Sequence, residues 1–165
     1  MKRILTLCMA ACLLLSLLCG AQAEALEGDW FELSAEDTVL TVRLPGDDGA
    51  PVYLPIDSKF PGDAYANLLD AYDSGSPERV HAAVNALTAQ IRKEARDIRD
   101  KYVAPPHTTE FAVMFLPFEG LYAEVVNRGL VEELQRSYRV SIAGPSTMAA
   151  LLNSLQMGFK TLAIQ

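Results

Sequence analysis

The segment FAVMFLP (Phe111–Pro117) constrains the fold most, because seven consecutive positions carry no polar side chain. A short apolar run of this kind, bounded by the turn-forming stretch APPHTT and by a proline, is typical of a strand buried on both faces of a sheet. A strand covered on both faces favours an α/β architecture.

Two further strands are predicted at Thr38–Leu44 and Val52–Phe60, which are rich in β-branched and aromatic residues. The intervening Pro45–Pro51 has turn composition, so the two strands predict a hairpin. Pro55 predicts an edge or bulge position in the second strand. Val140–Gly144 predicts another strand.

Helical patterns fill the remaining chain. A short helix is predicted at Asp63–Tyr72, and a long one begins with Ser76 as N-cap and Pro77 at its first position. The apolar stripe of the long helix is Val80, Val84, Leu87, Ile91, Ala95, Ile98 and Tyr102. The order β-β-α-α-β-α-α-β-α predicts an α/β fold with a mixed sheet flanked by helices. The last helical pattern reaches Gln165 without a stop signal, which predicts a truncated domain.

Residues 1–23 have the layout of a secretory signal peptide, with a basic start, an apolar run and the sequence AQA before Glu24. An uncleaved membrane anchor is the alternative, because the apolar run is near the lower length limit for a spanning helix. Residues 24–37 are acidic and weakly patterned and predict a linker, which leaves 38–165 as the folded domain. The positive charges ahead of the apolar run predict that the domain lies outside the cytoplasm.

Charge and cysteine content exclude several kinds of site. All three cysteines lie within residues 1–23, so the rest of the chain has no disulfide and no cysteine-based metal site. That remainder has 12 basic and 21 acidic residues, a net charge near −9. Binding to nucleic acid therefore needs a local basic patch or metal ions.

Asp57 and Lys59 are the candidate catalytic residues. Alternate residues of a strand share one face, so the two side chains point the same way about 7 Å apart. The carboxylate suits Mg²⁺ and the lysine suits an attacking water or phosphorane charge, a combination that fits phosphodiester hydrolysis if a neighbouring strand adds a second carboxylate. The alternative is an exposed salt bridge worth about 0–1 kcal/mol.

Other candidates have ordinary structural alternatives. Arg92, Arg96 and Arg99 form a basic face for DNA or a solvated, salt-bridged surface. For His107 the two alternatives are a contact with the substrate and a hydrogen bond within its loop. Ser146 and Thr147 lie at the start of a predicted helix that follows a strand. Either the backbone N–H groups there bind a phosphate, or the two side chains cap the helix.

Three segments, LPIDSKFP, YVAPPHTTEFAVMFLPFEGLYAEV and YRVSIAGPSTMAALLNSLQMGFKTLAIQ, resemble the core of the RmuC family of DNA recombination proteins. The resemblance runs from about Thr38 to Gln165. It implies a restriction-endonuclease-like PD-(D/E)xK fold, DNA as partner, and a nuclease dependent on Mg²⁺ or Mn²⁺ that limits recombination or rearrangement. Asp57 and Lys59 match the D-x-K half of the nuclease signature, and Glu119 matches an acidic position of the family.

The chain also departs from the family. Val39 occupies the place of an acidic metal ligand on the preceding strand, and Asp37, two residues earlier, is the candidate replacement together with Glu119. The alternative function is a catalytically inactive, exported or membrane-anchored interaction domain that retains the fold. The leader indicates export or inner-membrane anchoring, whereas the resemblance implies the cytoplasmic face of the membrane. The exposed last helix predicts a homo-oligomer or a missing C-terminal segment as its partner.

Overall fold

The computed structural model describes residues 34–36, 39–45 and 50–162. Its strands are β1 (Ser34–Glu36), β2 (Val39–Pro45), β3 (Pro51–Ser58), β4 (Ala112–Phe115) and β5 (Val140–Ala143). Its helices are α1 (Gly62–Asp73), α2 (Pro77–Tyr102), α3 (Glu119–Asn127), α4 (Leu130–Tyr138) and α5 (Pro145–Leu162). The predicted α/β class and the predicted order of elements are confirmed from β2 onward.

The five described strands form one mixed sheet in the order β1-β2-β3-β4-β5. The first three are antiparallel neighbours, and β3, β4 and β5 run parallel to one another. The hairpin predicted from two β-branched segments is therefore confirmed as β2 and β3. Strand β1 lies inside the segment predicted as a linker, so the sheet extends beyond the predicted domain boundary at Thr38.

Pro55 does not mark an edge or a bulge, contrary to the prediction. Strand β3 is central, and its register with β2 is continuous from Val39 opposite Asp57 to Pro45 opposite Pro51. Pairing of β3 with β4 begins only at Ile56, and Tyr53 instead bonds the loop before β4, donating to the His107 carbonyl and accepting from Thr109. The missing N–H of Pro55 falls between these two contacts, so it removes no ladder bond.

Side chains alternate across the sheet and fill two cores. One core lies under α1–α4 and includes Met114 and Leu116, together with Leu87, Ile91, Ala95 and Ile98 of the predicted apolar stripe of α2. The other lies under α5 and includes Leu54, Ile56 and Met148. Alternate residues of the run FAVMFLP lie in the two cores. All four residues of β4 are buried, as predicted. Because Leu54 and Ile56 face α5, Asp57 faces the α1–α4 side.

Local chemistry explains where α2 begins. The Ser76 side chain accepts a hydrogen bond from the Arg79 amide at 3.4 Å, and Pro77 occupies the first helical position. Both were predicted from the sequence, because an N-cap hydroxyl satisfies an otherwise unpaired amide and proline has no N–H to leave unpaired.

Residues 1–33 lie outside the described part of the chain, so the signal peptide, the alternative anchor and the compartment stay predictions. Among the described helices, none combines the length and the apolar content that crossing a membrane requires.

Candidate functional site

Asp57 occupies the middle of a row that crosses the sheet. Its neighbour on β2 is Val39 and its neighbour on β4 is Met114. Paired residues on adjacent strands project to the same face, so two apolar side chains flank the carboxylate. Asp57 is fully buried, the only charged residue buried within the described part of the chain.

Lys59 and Glu94 complete a three-residue cluster with Asp57. The Lys59 Nζ atom lies 3.0 Å from Asp57 Oδ2 and 3.4 Å from Glu94 Oε2. The Lys59 amide donates to the Phe115 carbonyl at 2.9 Å, which anchors the lysine backbone to the end of β4. Asp57 in β3 and Lys59, the residue after the end of β3, thus meet on one face, as predicted, and α2 brings Glu94 to the same ammonium group.

Burial dominates the electrostatics of Asp57. Desolvation raises the pKa of its carboxyl above the ordinary 3.8, and the positive charge of Lys59 only partly opposes this. Burial alone works to lower the pKa of Lys59, but the close contacts with Asp57 and Glu94 outweigh it and raise that pKa above 10.5. Apart from this ion pair with Lys59, neither Asp57 oxygen has a hydrogen-bond partner among the described residues.

Glu94 was not predicted as a site residue. A signal was present, because Glu94 follows Ile91 by three positions and precedes Ile98 by four. Both isoleucines are fully buried, so this spacing places Glu94 on the inward side of the helix. What the sequence does not show is that α2 packs on the sheet and brings Glu94 to Lys59, just beyond the end of β3.

The donor set at Asp57 fits a hard divalent cation. A buried carboxylate oxygen without a hydrogen-bond partner is rare and costly in folded proteins. Mg²⁺ binds oxygen ligands and is commonly held by one or two carboxylates, with water and phosphate oxygens completing its shell. Within the described ranges, however, no three His, Cys, Asp or Glu side chains form a metal-binding group.

Glu119 has a partner elsewhere. Its Oε1 atom accepts a hydrogen bond from the Ser146 amide at 2.7 Å, so the carboxylate caps the N-terminus of α5. This hydrogen bond lowers the pKa of Glu119. Thr147 Oγ1 accepts from the Gly144 amide at 2.7 Å, the reciprocal half of a capping arrangement. Ser146 and Thr147, which were predicted to contact phosphate, thus form one helix cap with Glu119, which was predicted to bind a metal ion. The described contacts do not bring Glu119 to Asp57.

The three predicted DNA-binding arginines contact α4 or their own helix. Arg92 forms a two-pronged ion pair with Glu133, through Nε at 2.6 Å and Nη2 at 2.9 Å. The guanidinium groups of Arg96 and Arg99 lie 6.0 and 5.8 Å from the centre of the Tyr138 ring. These contacts match the alternative interpretation of this face as a salt-bridged surface.

Two predicted residues are not brought to the cluster. The His107 carbonyl accepts from the Tyr53 amide at 3.1 Å, while the residue itself is exposed in the loop before β4. Asp37 lies outside the described residues, so its predicted role as a replacement ligand stays a prediction.

Comparison with known proteins identifies the family. The RmuC family model matches residues 33–165. Two curated relatives, each described as a DNA recombination protein RmuC homolog, come from Xylella fastidiosa strains Temecula1 and 9a5c, and each is 56% identical over 135 residues. The alignment covers 80% of this chain but 30% of each relative, and no solved structure matches. The chain belongs to the RmuC family.

Proposed function

We propose that this chain carries the DNA-processing core of a RmuC-type recombination protein and that it hydrolyses DNA phosphodiester bonds with Mg²⁺ or Mn²⁺. The observation that carries the proposal is the buried Asp57 carboxylate, which is ion-paired with the Lys59 ammonium and has no other hydrogen-bond partner among the described residues. Three antiparallel strands followed by a helical crossover to a parallel fourth strand are compatible with the restriction-endonuclease-like fold that the family resemblance implies.

Each residue has a distinct task in this proposal. Asp57 would hold the metal ion, which when bound supplies Lewis-acid activation of water and of the scissile phosphate. Lys59 stays protonated, because its pKa is raised by the two carboxylates. A protonated ammonium at this position orients the attacking water and stabilises the negative charge that develops on the phosphate.

The charge of the chain bears on how DNA would bind. The formal net charge is −7, so the overall field repels a polyanion. A divalent ion at the cluster would add local positive charge beside Lys59. We therefore expect DNA binding to depend on the metal ion and to weaken as salt concentration rises.

A specific observation favours the alternative function, a catalytically inactive interaction domain, exported or membrane-anchored, that retains the fold. Val39 lies directly opposite Asp57 and contributes no oxygen. A site with one strand carboxylate holds a metal ion less tightly than a site with two. In this alternative the partners are a membrane through residues 1–23, and a second copy or a C-terminal segment against α5.

Cleavage of labelled DNA decides between the two functions. The purified chain is incubated with linear duplex and single-stranded DNA plus Mg²⁺ or Mn²⁺, in parallel with Lys59→Ala and Asp57→Asn. Arg136→Ala is the matched control, because it also removes one positive charge but lies in an exposed pair with Glu132. We expect metal-dependent cleavage by the parent chain and the control alone. No cleavage, or equal cleavage by Lys59→Ala, would reject the nuclease and leave the interaction domain.

A further inference from the structure

Among the described residues, a second carboxylate near Asp57 comes from helix α2, since Glu94 shares Lys59 with it. We propose that Glu94 of α2 is a ligand of a divalent cation shared with Asp57, and that it supplies the carboxylate which Val39 cannot. This inference rests on the proposed function, since it assigns a further ligand to the same metal site.

Distance supports the assignment. One Lys59 nitrogen touches Asp57 Oδ2 at 3.0 Å and Glu94 Oε2 at 3.4 Å. The two carboxylate oxygens are thus separated by no more than the combined length of these contacts. Glutamate has three rotatable side-chain bonds, so rotation of the Glu94 side chain can bring an oxygen toward an ion held by Asp57. Glu94 also lies on the well-packed side of α2, between Ile91 and Ile98, which fixes its backbone.

Burial and charge point to a cation as well. Asp57 Oδ1 is buried and has no hydrogen-bond partner among the described residues. Two carboxylates and one ammonium leave the cluster with one net negative charge. The Lys59 ammonium already lies between the carboxylates of Asp57 and Glu94. A divalent ion would give Asp57 Oδ1 a partner.

Glu94 has one competing role, as a residue that only positions Lys59 through the ion pair. The two roles differ in their effect on metal affinity. A positioning residue acts through the lysine, so Glu94→Gln and Lys59→Met would change metal affinity alike. A ligand acts directly, so Glu94→Gln weakens the metal and Lys59→Met does not, because Lys59→Met removes a repelling positive charge.

The test is Mn²⁺ binding by the full chain, measured by calorimetry and by electron paramagnetic resonance of free Mn²⁺. We expect Asp57→Asn and Glu94→Gln each to weaken Mn²⁺ about tenfold or more, and Lys59→Met to leave affinity equal or higher. Glu132→Gln is the control, since it removes an exposed α4 carboxylate in an i,i+4 pair. Glu94→Asp keeps the charge and is measured too, in case Glu94→Gln does not fold; we expect an intermediate affinity.

A rescue variant sharpens the assignment. Val39→Asp combined with Glu94→Gln places the carboxylate on β2, and we expect it to recover Mn²⁺ affinity. Unchanged affinity in both Glu94 variants, with Asp57→Asn still weakened, would overturn the role of Glu94 and leave the proposed function standing. A parent chain that binds no Mn²⁺ would overturn both.

Discussion

Val39 lies directly opposite Asp57 in the antiparallel pairing of β2 with β3. Opposed residues on antiparallel strands have Cβ atoms about 4.5–5.5 Å apart and share one face. An acid at this position would therefore lie beside the Asp57 carboxylate. Here the neighbour is a buried valine, which adds to the desolvation of Asp57.

Val39→Asp should make the melting temperature of the chain depend more strongly on Mn²⁺. Two adjacent buried carboxylates repel each other, so we expect the melting temperature of the metal-free variant to fall below that of the parent chain. We expect Mn²⁺ to raise the melting temperature of Val39→Asp by more than it raises that of the parent, since binding to the native state stabilises it. Val39→Asn loses the same packing without the charge and is the control. Equal Mn²⁺ shifts for the two variants would contradict this.

Lys59→Met should destabilise the fold strongly. It leaves Asp57 buried without a countercharge, and removing one partner of a buried ion pair costs about 3–5 kcal/mol of unfolding free energy. Because the Lys59 side chain is 23% exposed, we expect a cost of about 3 kcal/mol. In an Asp57→Asn background the same substitution should cost much less, because no buried charge remains. Urea denaturation of the parent, both single variants and the double variant measures the coupling. Additive effects would show that the two residues do not depend on each other.

The sequence predicted most of the sheet and the long helix, because alternation along β2 and β3 and the i,i+3/i+4 stripe of α2 are local patterns. Strand β1 escaped prediction since its three residues include a glutamate and it depends on pairing with β2. The site was half predicted. Asp57 and Lys59 lie two residues apart at the end of β3, so their common face follows from period two, whereas Glu94 meets Lys59 only through the packing of α2 on the sheet.

Stability should fall as pH rises through the range where Asp57 loses its proton. Because burial raises its native pKa above the unfolded value of 3.8, the native state holds this proton more tightly than the unfolded state. The contribution is therefore most favourable below pH 3.8, decreases as pH rises toward the native pKa, and is constant above it. The difference in unfolding free energy between the parent and Asp57→Asn, measured from pH 3 to neutral, isolates this effect from the other carboxylates. If the unfolding free energy of the parent instead increases relative to that of Asp57→Asn as pH rises, the native pKa of Asp57 is lowered and not raised.

Glu119→Ala should weaken the start of α5 and leave the proposed metal site at Asp57 unchanged. Its carboxylate accepts from the Ser146 amide, and loss of a helix cap costs about 1 kcal/mol. Because this hydrogen bond lowers the native pKa of Glu119 below 4.5, its contribution is present above pH 4.5 and is lost as pH falls through the native pKa. Glu110→Ala is the control, since that carboxylate is 81% exposed in a long ion pair with Arg139. We expect thermal unfolding to report the loss for Glu119→Ala alone, and Mn²⁺ affinity to match that of the parent chain. A weaker Mn²⁺ affinity in Glu119→Ala would instead support its predicted role as a metal ligand.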